Sequence, residues 1–229
     1  ADVTEEFYSA SRGKQQQYIG FKQNGVILQP NKSHANYNLK FIPLADGISF
    51  TLQAFFADSS RIIPVASSPD LKIIISRICG PVWKINDSTF QINFYRMGFN
   101  NPKRSNEIWL LAHSNGNKNN KSAVQQLNMR FPLENKEGEL QKISFPQIEN
   151  TNIKTQSVSL HATSSAGLPV YYYVKEGPVF LNGQILQFTK IPPKTKFPVK
   201  VTIVAWQYGI AGKVQTAQPI ERTFYLIKN

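Results

Sequence analysis

Cysteine, acidic residues and long apolar runs are all scarce in this chain of 229 residues. The single cysteine, Cys79, excludes an internal disulfide and the paired Cys-x-x-Cys motifs of zinc knuckles. No stretch approaches the roughly 20 apolar residues of a membrane-spanning helix. The sequence therefore predicts no membrane span, and the chain is long enough to bury a core that is stable without disulfides.

Acidic residues are outnumbered: 14 Asp and Glu accompany 26 Lys and Arg, which gives a net charge of +12. Residues 151–229 are proportionally the most basic part, with nine basic and two acidic residues. Such a positive field attracts polyanions, including nucleic acids, anionic lipids and acidic polysaccharides, although it also simply increases solubility. The chain contains no zinc finger, recognition-helix pattern or RRM motif, so we expect no nucleic acid as partner.

Motifs of catalysis and metal binding are missing as well. The histidines His34, His113 and His161 are far apart, and no HExxH, GxSxG or Gly-rich phosphate-loop pattern occurs. No His pair or calcium-loop pattern is present, so we expect no cofactor and no metal site, while a structural calcium ion in a β-sandwich stays open. The few acids form no evident pair for glycoside hydrolysis.

A lyase acting on acidic sugars would need a base and a cation that neutralises the uronate carboxylate. Tyr95, Arg96 and His113 could supply these groups if their strands were neighbours. We keep them as weak catalytic candidates.

Short alternating segments fill the rest of the chain. ISFTLQAFF (48–56) and STFQINFYRMGF (88–99) alternate apolar and polar residues, while LKIIISRICG (71–80) and EIWLLAH (107–113) are rich in β-branched or aromatic residues. Asn24-Gly25 is the dipeptide of a tight hairpin. Turn signals recur about every ten residues, which is typical of sandwiches and barrels. The sequence predicts an all-β protein.

A break near FPQIENTNIKTQS (145–157) precedes a fresh strand, SVSLHATS. It predicts two β-sandwich domains, residues 1–150 and residues 151–229. The first residues, ADVTEEF, would suit either a start just after a removed signal peptide or an artificial boundary.

Several motifs follow one another in the C-terminal part. They are Ala-Thr-Ser (162–164), Gly-Leu-Pro-Val (167–170), Gly-Pro (177–178), Asn-Gly (182–183), a Val-x-Ile-x-Ala-x-Gln-x-Gly strand (201–209) and an aromatic closing strand (223–227). In this order they resemble the bacterial immunoglobulin-like domains of secreted and cell-surface proteins. The segment KIPPKTKFPVK (190–200) is longer and more basic than the turn that the pattern usually has there. In residues 1–150 we recognise no family with known activity.

The resemblance implies an immunoglobulin-like fold for residues 151–229 and a secreted, periplasmic or cell-surface location. It implies a spacer or binding module, of the kind attached to polysaccharide-degrading systems, and no particular chemistry.

Aromatic side chains interleaved with polar ones are typical of sugar-binding surfaces, because rings stack on pyranose faces while amides and guanidinium groups bond hydroxyls. Candidate ligand-binding residues are Tyr95, Arg96, Lys103, Arg104 and Trp109 in the first domain and Tyr171, Tyr173 and Tyr208 in the second. Strand alternation places Tyr172 inward with Val170 and Val174, and turns Tyr171 and Tyr173 outward.

We therefore expect a secreted, non-catalytic β-sandwich protein or module that binds a polysaccharide, preferentially an acidic one, or supports a neighbouring carbohydrate-active enzyme. A polysaccharide lyase or glycoside hydrolase is the first alternative. A structural or adhesive cell-surface protein is the second.

Overall fold

The computed structural model describes residues 12–31, 36–95 and 105–228, and every regular element in these ranges is a β-strand. The strands are β1 (Tyr18–Gln23), β2 (Val26–Ile27), β3 (Tyr37–Lys40), β4 (Ser49–Thr51), β5 (Gln53–Ala57), β6 (Ile74–Cys79), β7 (Val82–Lys84), β8 (Thr89–Ile92), β9 (Glu107–Ser114), β10 (Ala123–Arg130), β11 (Ile143–Ser144), β12 (Thr151–Asn152), β13 (Ser157–Ser159), β14 (Thr163–Ser164), β15 (Tyr171–Glu176), β16 (Val179–Asn182), β17 (Ile185–Phe188), β18 (Val199–Trp206) and β19 (Ile220–Ile227). The predicted all-β class is confirmed. No helix that is long and apolar enough to cross a membrane occurs in the described ranges.

The chain forms two compact units. The first contains the described parts of residues 1–44, 49–92 and 106–131, and the second contains those of 45–48, 93–105 and 132–229. Residues 132–150 thus group with the C-terminal unit, because β11 pairs with β14 and the Gln141 amide donates to the Gln215 carbonyl oxygen at 2.7 Å. In the sequence, the strongest break lies later, near residue 150.

The second unit has the strand order of an immunoglobulin domain. One sheet has the order β12-β19-β18-β15 and the other the order β13-β17-β16. β12 runs parallel to β19, and the remaining neighbours are antiparallel. Strands β13, β16 and β17 correspond to B, D and E of the immunoglobulin fold, and β15, β18 and β19 correspond to C, F and G. The predicted fold of the C-terminal domain is confirmed.

The first unit repeats this arrangement. Its main sheet has the order β3-β10-β9-β6, with β3 parallel to β10, as β12 is parallel to β19. A strand interrupted at Leu52 supplies β4 and β5, so that it belongs to both of the other sheets, β4-β8-β7 and β2-β1-β5. β4, β8 and β7 take the places of B, E and D. Both units are therefore immunoglobulin-like β-sandwiches.

Apolar residues at every second position of the strands form the cores of both units, because successive strand residues point to opposite faces. In β8 and the residues after it, Phe90, Ile92 and Phe94 are all buried, as predicted. In the second unit, the inward residues of β15 and β18 pack with Phe224 and Leu226 of β19. The Asn24-Gly25 hairpin is also confirmed, since both residues have positive φ angles, 49° and 80°.

Candidate functional site

The outward side of the sheet β3-β10-β9-β6 in the first unit carries the most informative set of side chains. Along β9 the residues alternate strictly, and every second one is buried. β10 alternates in the same way, with Val124 69% exposed. The outward residues, which we call the Trp109 face, are Asn38, Lys40, Ile74, Ser76, Cys79, Glu107, Trp109, Leu111, His113, Val124, Gln126, Asn128 and Arg130.

Trp109 lies in the middle of a row that crosses this sheet. Its direct cross-strand partners are Asn128 on β10 and Cys79 on β6, and Asn128 in turn faces Asn38 on β3. Neighbouring strands are about 4.8 Å apart, so two amide side chains follow the half-buried indole within about 10 Å. The row therefore places an aromatic surface directly beside groups that both donate and accept hydrogen bonds.

Asn128 has an unusual environment within this row. Its side-chain oxygen Oδ1 is enclosed and has no hydrogen-bond partner among the described residues. An enclosed amide oxygen without a partner destabilises a fold by about 1–3 kcal/mol relative to a paired one. On packing grounds alone, an apolar residue of similar size would be at least as stable at this position.

An ion pair closes one end of the face. The Arg130 guanidinium binds the Glu107 carboxylate through two nitrogen atoms, with Nε at 2.6 Å from Oε1. Lys40 is the cross-strand neighbour of Arg130 on its other side. The pair holds Arg130 in one orientation, and Lys40 leaves this end with a net positive charge.

The other end of the face is more apolar. Leu111 lies between Gln126 and Ser76, and His113 lies between Val124 and Ile74. In the described part of the chain, no group of three or more His, Cys, Asp or Glu side chains could hold a metal ion. The face as a whole can stack, hydrogen-bond and attract negative charge.

The structure describes some of the site residues predicted for the first domain and not others. Trp109 and His113 share the outward side of β9, where Leu111 lies between them and their Cα atoms are about 13 Å apart. Tyr95 is 55% exposed but belongs to the second unit, whereas His113 belongs to the first. Arg96, Lys103 and Arg104 lie outside the described residues.

Tyr171 and Tyr173 lie on the side of β15 opposite to the core residue Tyr172, but the exposure predicted for Tyr173 is wrong. Tyr173 is only 1% exposed, and its ring lies 6.2 Å from that of Phe94. The ring of Trp206 lies 5.0 Å from Phe94 and 5.1 Å from the half-buried Tyr171. Phe94, which precedes β9 in the chain, thus covers the side of the sheet β12-β19-β18-β15 that carries Tyr173 and Trp206. The sequence around β15 does not reveal this contact. Tyr171 and Tyr173 form no exposed platform.

Tyr208 is also buried, contrary to its predicted place at a ligand surface. It is 0% exposed, and its hydroxyl donates to the Pro132 carbonyl oxygen. By contrast, the inward position of Tyr172 is confirmed, since it belongs to the core and its hydroxyl accepts a hydrogen bond from the Ala162 N–H at 2.8 Å. Burial raises the pKa of Tyr171 and of Tyr172, so both hydroxyls stay neutral well above physiological pH.

Sequence reasoning missed the polar half of the Trp109 face, namely Asn38, Lys40, Gln126, Asn128 and Arg130. The segment AVQQLNMR (123–130) carries the signal that could have found three of them, because its residues alternate between buried and outward positions. Its pairing with β9 beside Trp109 is a tertiary fact.

No protein-family model and no curated protein matches the chain. Solved structures with similarity are extracellular domains of cadherins. Drosophila N-cadherin EC1-3 is 12% identical, with a TM-score of 0.29, over 95% of this chain and 69% of that chain. Human protocadherin-24 EC1-2 is 9% identical, with a TM-score of 0.30, over 92% and 98%. Drosophila N-cadherin EC1-4 is 9% identical, with a TM-score of 0.28, over 85% of this chain, which spans 47% of its length.

Proposed function

We propose that this chain is a secreted or cell-surface, non-catalytic β-sandwich protein that binds a polysaccharide on the Trp109 face. The observation that carries the proposal is the row of Trp109, Asn128 and Asn38 across an open sheet. A half-buried indole offers its ring to the apolar side of a pyranose, while the Asn38 amide and the Asn128 amide nitrogen bond the hydroxyls. The location follows from the resemblance of residues 151–229 to domains of secreted and cell-surface proteins.

A flat face suits a polymer better than a small molecule, because successive sugar units can occupy successive rows. Rows along one strand repeat about every 7 Å, since alternate residues share a face. Gln126 and Ser76 flank the row next to that of Trp109. Arg130, already oriented by Glu107, supports one more sugar unit at low entropic cost.

The spacing of ionisable groups on the face favours binding over bond cleavage. Glu107 and His113 are six residues apart on one strand, which separates their Cα atoms by about 20 Å. A general acid or base must lie within hydrogen-bond reach of the proton that it transfers, and a pair of carboxyl groups for glycoside hydrolysis stands roughly 5–10 Å apart. Glu107 is moreover engaged with Arg130.

Affinity electrophoresis and calorimetry with a panel of neutral and acidic polysaccharides test the proposal. We expect W109A to weaken binding by about tenfold or more, as the loss of a central aromatic anchor does. W83A is the matched control, because Trp83 is 54% exposed on β7, in a different sheet. Equal losses in both variants, or none in W109A, would contradict the proposed site.

The preference for acidic polysaccharides rests on charge. Lys40 lies on the face. Independently of that face, the binding of an anionic ligand by Arg96, Lys103 and Arg104 stays a prediction from the sequence. Binding to an acidic polysaccharide should weaken as salt rises, because the attraction between exposed charges is screened. Charge reversal at Arg96, Lys103 and Arg104 should reduce retardation on an acidic gel, and unchanged retardation would contradict their predicted role in binding.

The same assays separate the alternatives. A polysaccharide lyase or glycoside hydrolase would release unsaturated or reducing ends during incubation. A structural or adhesive protein, for which two immunoglobulin-like units in one chain are also suited, would bind none of the panel.

A further inference from the structure

One end of the second unit collects lysines. The segment after β12 and the long connection from β17 to β18 contribute Lys154, Lys190, Lys194 and Lys196, all of them exposed. Lys228, directly after β19, lies at the same end, since the Ile153 N–H donates to the Ile227 carbonyl oxygen at 3.1 Å. We call these five residues the lysine end.

In the described part of the second unit, no acidic side chain forms an ion pair with the lysine end. Residues 151–229 contain two acidic residues, Glu176 and Glu221. Glu176 binds Lys200 at 3.0 Å, and Glu221 binds Lys175 at 2.6 Å. Among the described residues, none of the five lysines of the lysine end has an ion-pair partner. Their mutual repulsion is therefore relieved by solvent or by an anion from outside.

A groove accompanies this charge. It has a volume of about 410 Å³ and runs between the segment after β12 and the residues that follow β17. Phe188, Ile191 and Leu226 supply apolar surface, while Thr155, Gln156 and Thr189 supply hydroxyl and amide groups. Lys154 and Lys190 both line it. The groove thus offers an apolar surface, hydrogen-bonding groups and two cations together.

We infer that the lysine end is a second binding site, and that its ligand is a linear acidic polysaccharide. Carboxylate or sulfate groups of the polysaccharide pair with Lys154 and Lys190. The apolar faces of its sugar rings contact Phe188 and Ile191, and its hydroxyls bond to Thr155 and Gln156. This site shares no residue with the Trp109 face. It goes beyond the proposed function because it makes the chain bivalent, with one site on each unit.

A polysaccharide fits this site better than an anionic membrane surface, because the two cations and the hydrogen-bonding groups line a concave groove. A flat bilayer would contact the exposed lysines of the connection between β17 and β18, whereas a single polysaccharide chain can lie in the groove. Charge complementarity selects the anionic polymer, and the shape of the groove selects a thin one.

Calorimetry on the full chain tests the inference, with polygalacturonate as the carboxylate probe, dextran sulfate as the sulfate probe and neutral dextran as the uncharged control. The test variant is K154E/K190E. The matched control, K118E/K213E, exchanges two exposed lysines outside the groove and lowers the net charge from +12 to the same value. Each variant is also compared in the W109A background, which isolates the second site.

We expect K154E/K190E to weaken binding of an acidic probe by about tenfold at low salt, and K118E/K213E to weaken it far less. The difference should persist in the W109A background, with unchanged thermal unfolding. K154Q/K190Q, which removes charge without reversing it, should give an intermediate loss. Equal effects of the test and control variants would overturn the inference, because they would show a response to net charge alone.

Vesicles of phosphatidylserine and phosphatidylcholine test whether the lysine end binds an anionic membrane instead of a polysaccharide. Binding to vesicles that K154E/K190E abolishes, together with no binding of either acidic polysaccharide, would assign the lysine end to membranes and overturn the polysaccharide site. Failure of W109A to affect binding, in contrast, would contradict the proposed function and leave the lysine end intact.

Discussion

Trp109 on β9 and Asn128 on β10 are direct cross-strand partners on an open sheet face, and the enclosed Asn128 Oδ1 has no hydrogen-bond partner among the described residues. An aromatic ring packs well beside an apolar neighbour, so an amide at this position costs stability. The stability of this pair can therefore be measured separately from the ligand binding proposed for it.

The first prediction concerns N128L. Removing the unpaired amide oxygen should leave the free energy of unfolding unchanged or raise it by up to about 1 kcal/mol, while polysaccharide binding weakens several-fold. Q126L, an exposed position on the same strand, should change stability by less than about 0.5 kcal/mol. Denaturant unfolding and calorimetry measure both effects. A clear loss of stability in N128L would indicate that the amide has a structural partner.

Cys79 offers a second test, because it is exposed, is the chain's single cysteine and is a cross-strand partner of Trp109. A bulky maleimide attached there should obstruct the Trp109 face and reduce polysaccharide binding. A methylthio group on the same sulfur should have little effect, because it adds hardly any volume. C79S, treated with the same maleimide, should bind as the untreated protein does. Full binding after quantitative maleimide labelling would argue against this face.

A third prediction concerns the stability contributions of the β15 tyrosines. Y172A and Y173A should each lower the free energy of unfolding by about 3 kcal/mol or more, because both rings are buried. Y172F should cost about 1 kcal/mol, since it removes the acceptor of the Ala162 N–H. Thermal and denaturant unfolding check these values. Selective loss of polysaccharide binding by folded Y173A would contradict its purely structural position.

Tyr37 gives a prediction for alkaline pH. Desolvation by burial raises its pKa to about 12, and its hydroxyl donates to the Arg61 carbonyl oxygen at 2.9 Å. In the unfolded chain the same group loses its proton near pH 10. Between these values the unfolded state binds fewer protons than the folded state, so stability falls as pH rises. Below about pH 10 the contribution of Tyr37 is fully present.

The loss attributable to Tyr37 should reach about 2 kcal/mol at pH 12, since each pKa unit corresponds to about 1.4 kcal/mol and the folded group is half ionised at that pH. Y37F removes this titration and should flatten the fall of stability between pH 10 and pH 12, at a cost of about 1 kcal/mol at neutral pH for the lost hydrogen bond. Urea unfolding at several pH values measures the slopes. Identical slopes for Y37F and the parent would contradict the raised pKa.

Local chemistry along the sequence determined which side chains share a strand face and where the chain turns. The alternation of residues 88–94 placed Phe90, Ile92 and Phe94 together, and all three are buried. Asn24-Gly25 makes its hairpin with positive φ angles because these two residues tolerate them best. Such rules involve neighbours along the chain, so no knowledge of the partner strand is needed.

The order of strands in the first unit could not be predicted from the local sequence. Residues 1–150 lack the turn motifs that reveal the second unit, yet the pairing of β3, β10, β9 and β6 repeats that of β12, β19, β18 and β15. Strand pairing joins residues that are far apart in sequence, and many sequences satisfy the same alternation.

Composition and residue alternation were enough to establish an all-β chain with an immunoglobulin-like C-terminal part, an excess of positive charge and the inward place of Tyr172. Which outward faces stay open depends instead on how the folded chain packs. Phe94, from a distant segment, covers Tyr173 and Trp206, whereas Trp109, on the equivalent strand of the first unit, stays half-exposed beside Asn128. The physical reason is that alternation sorts side chains between two faces of a sheet, while the burial of each face depends on segments that pack on it from elsewhere in the chain.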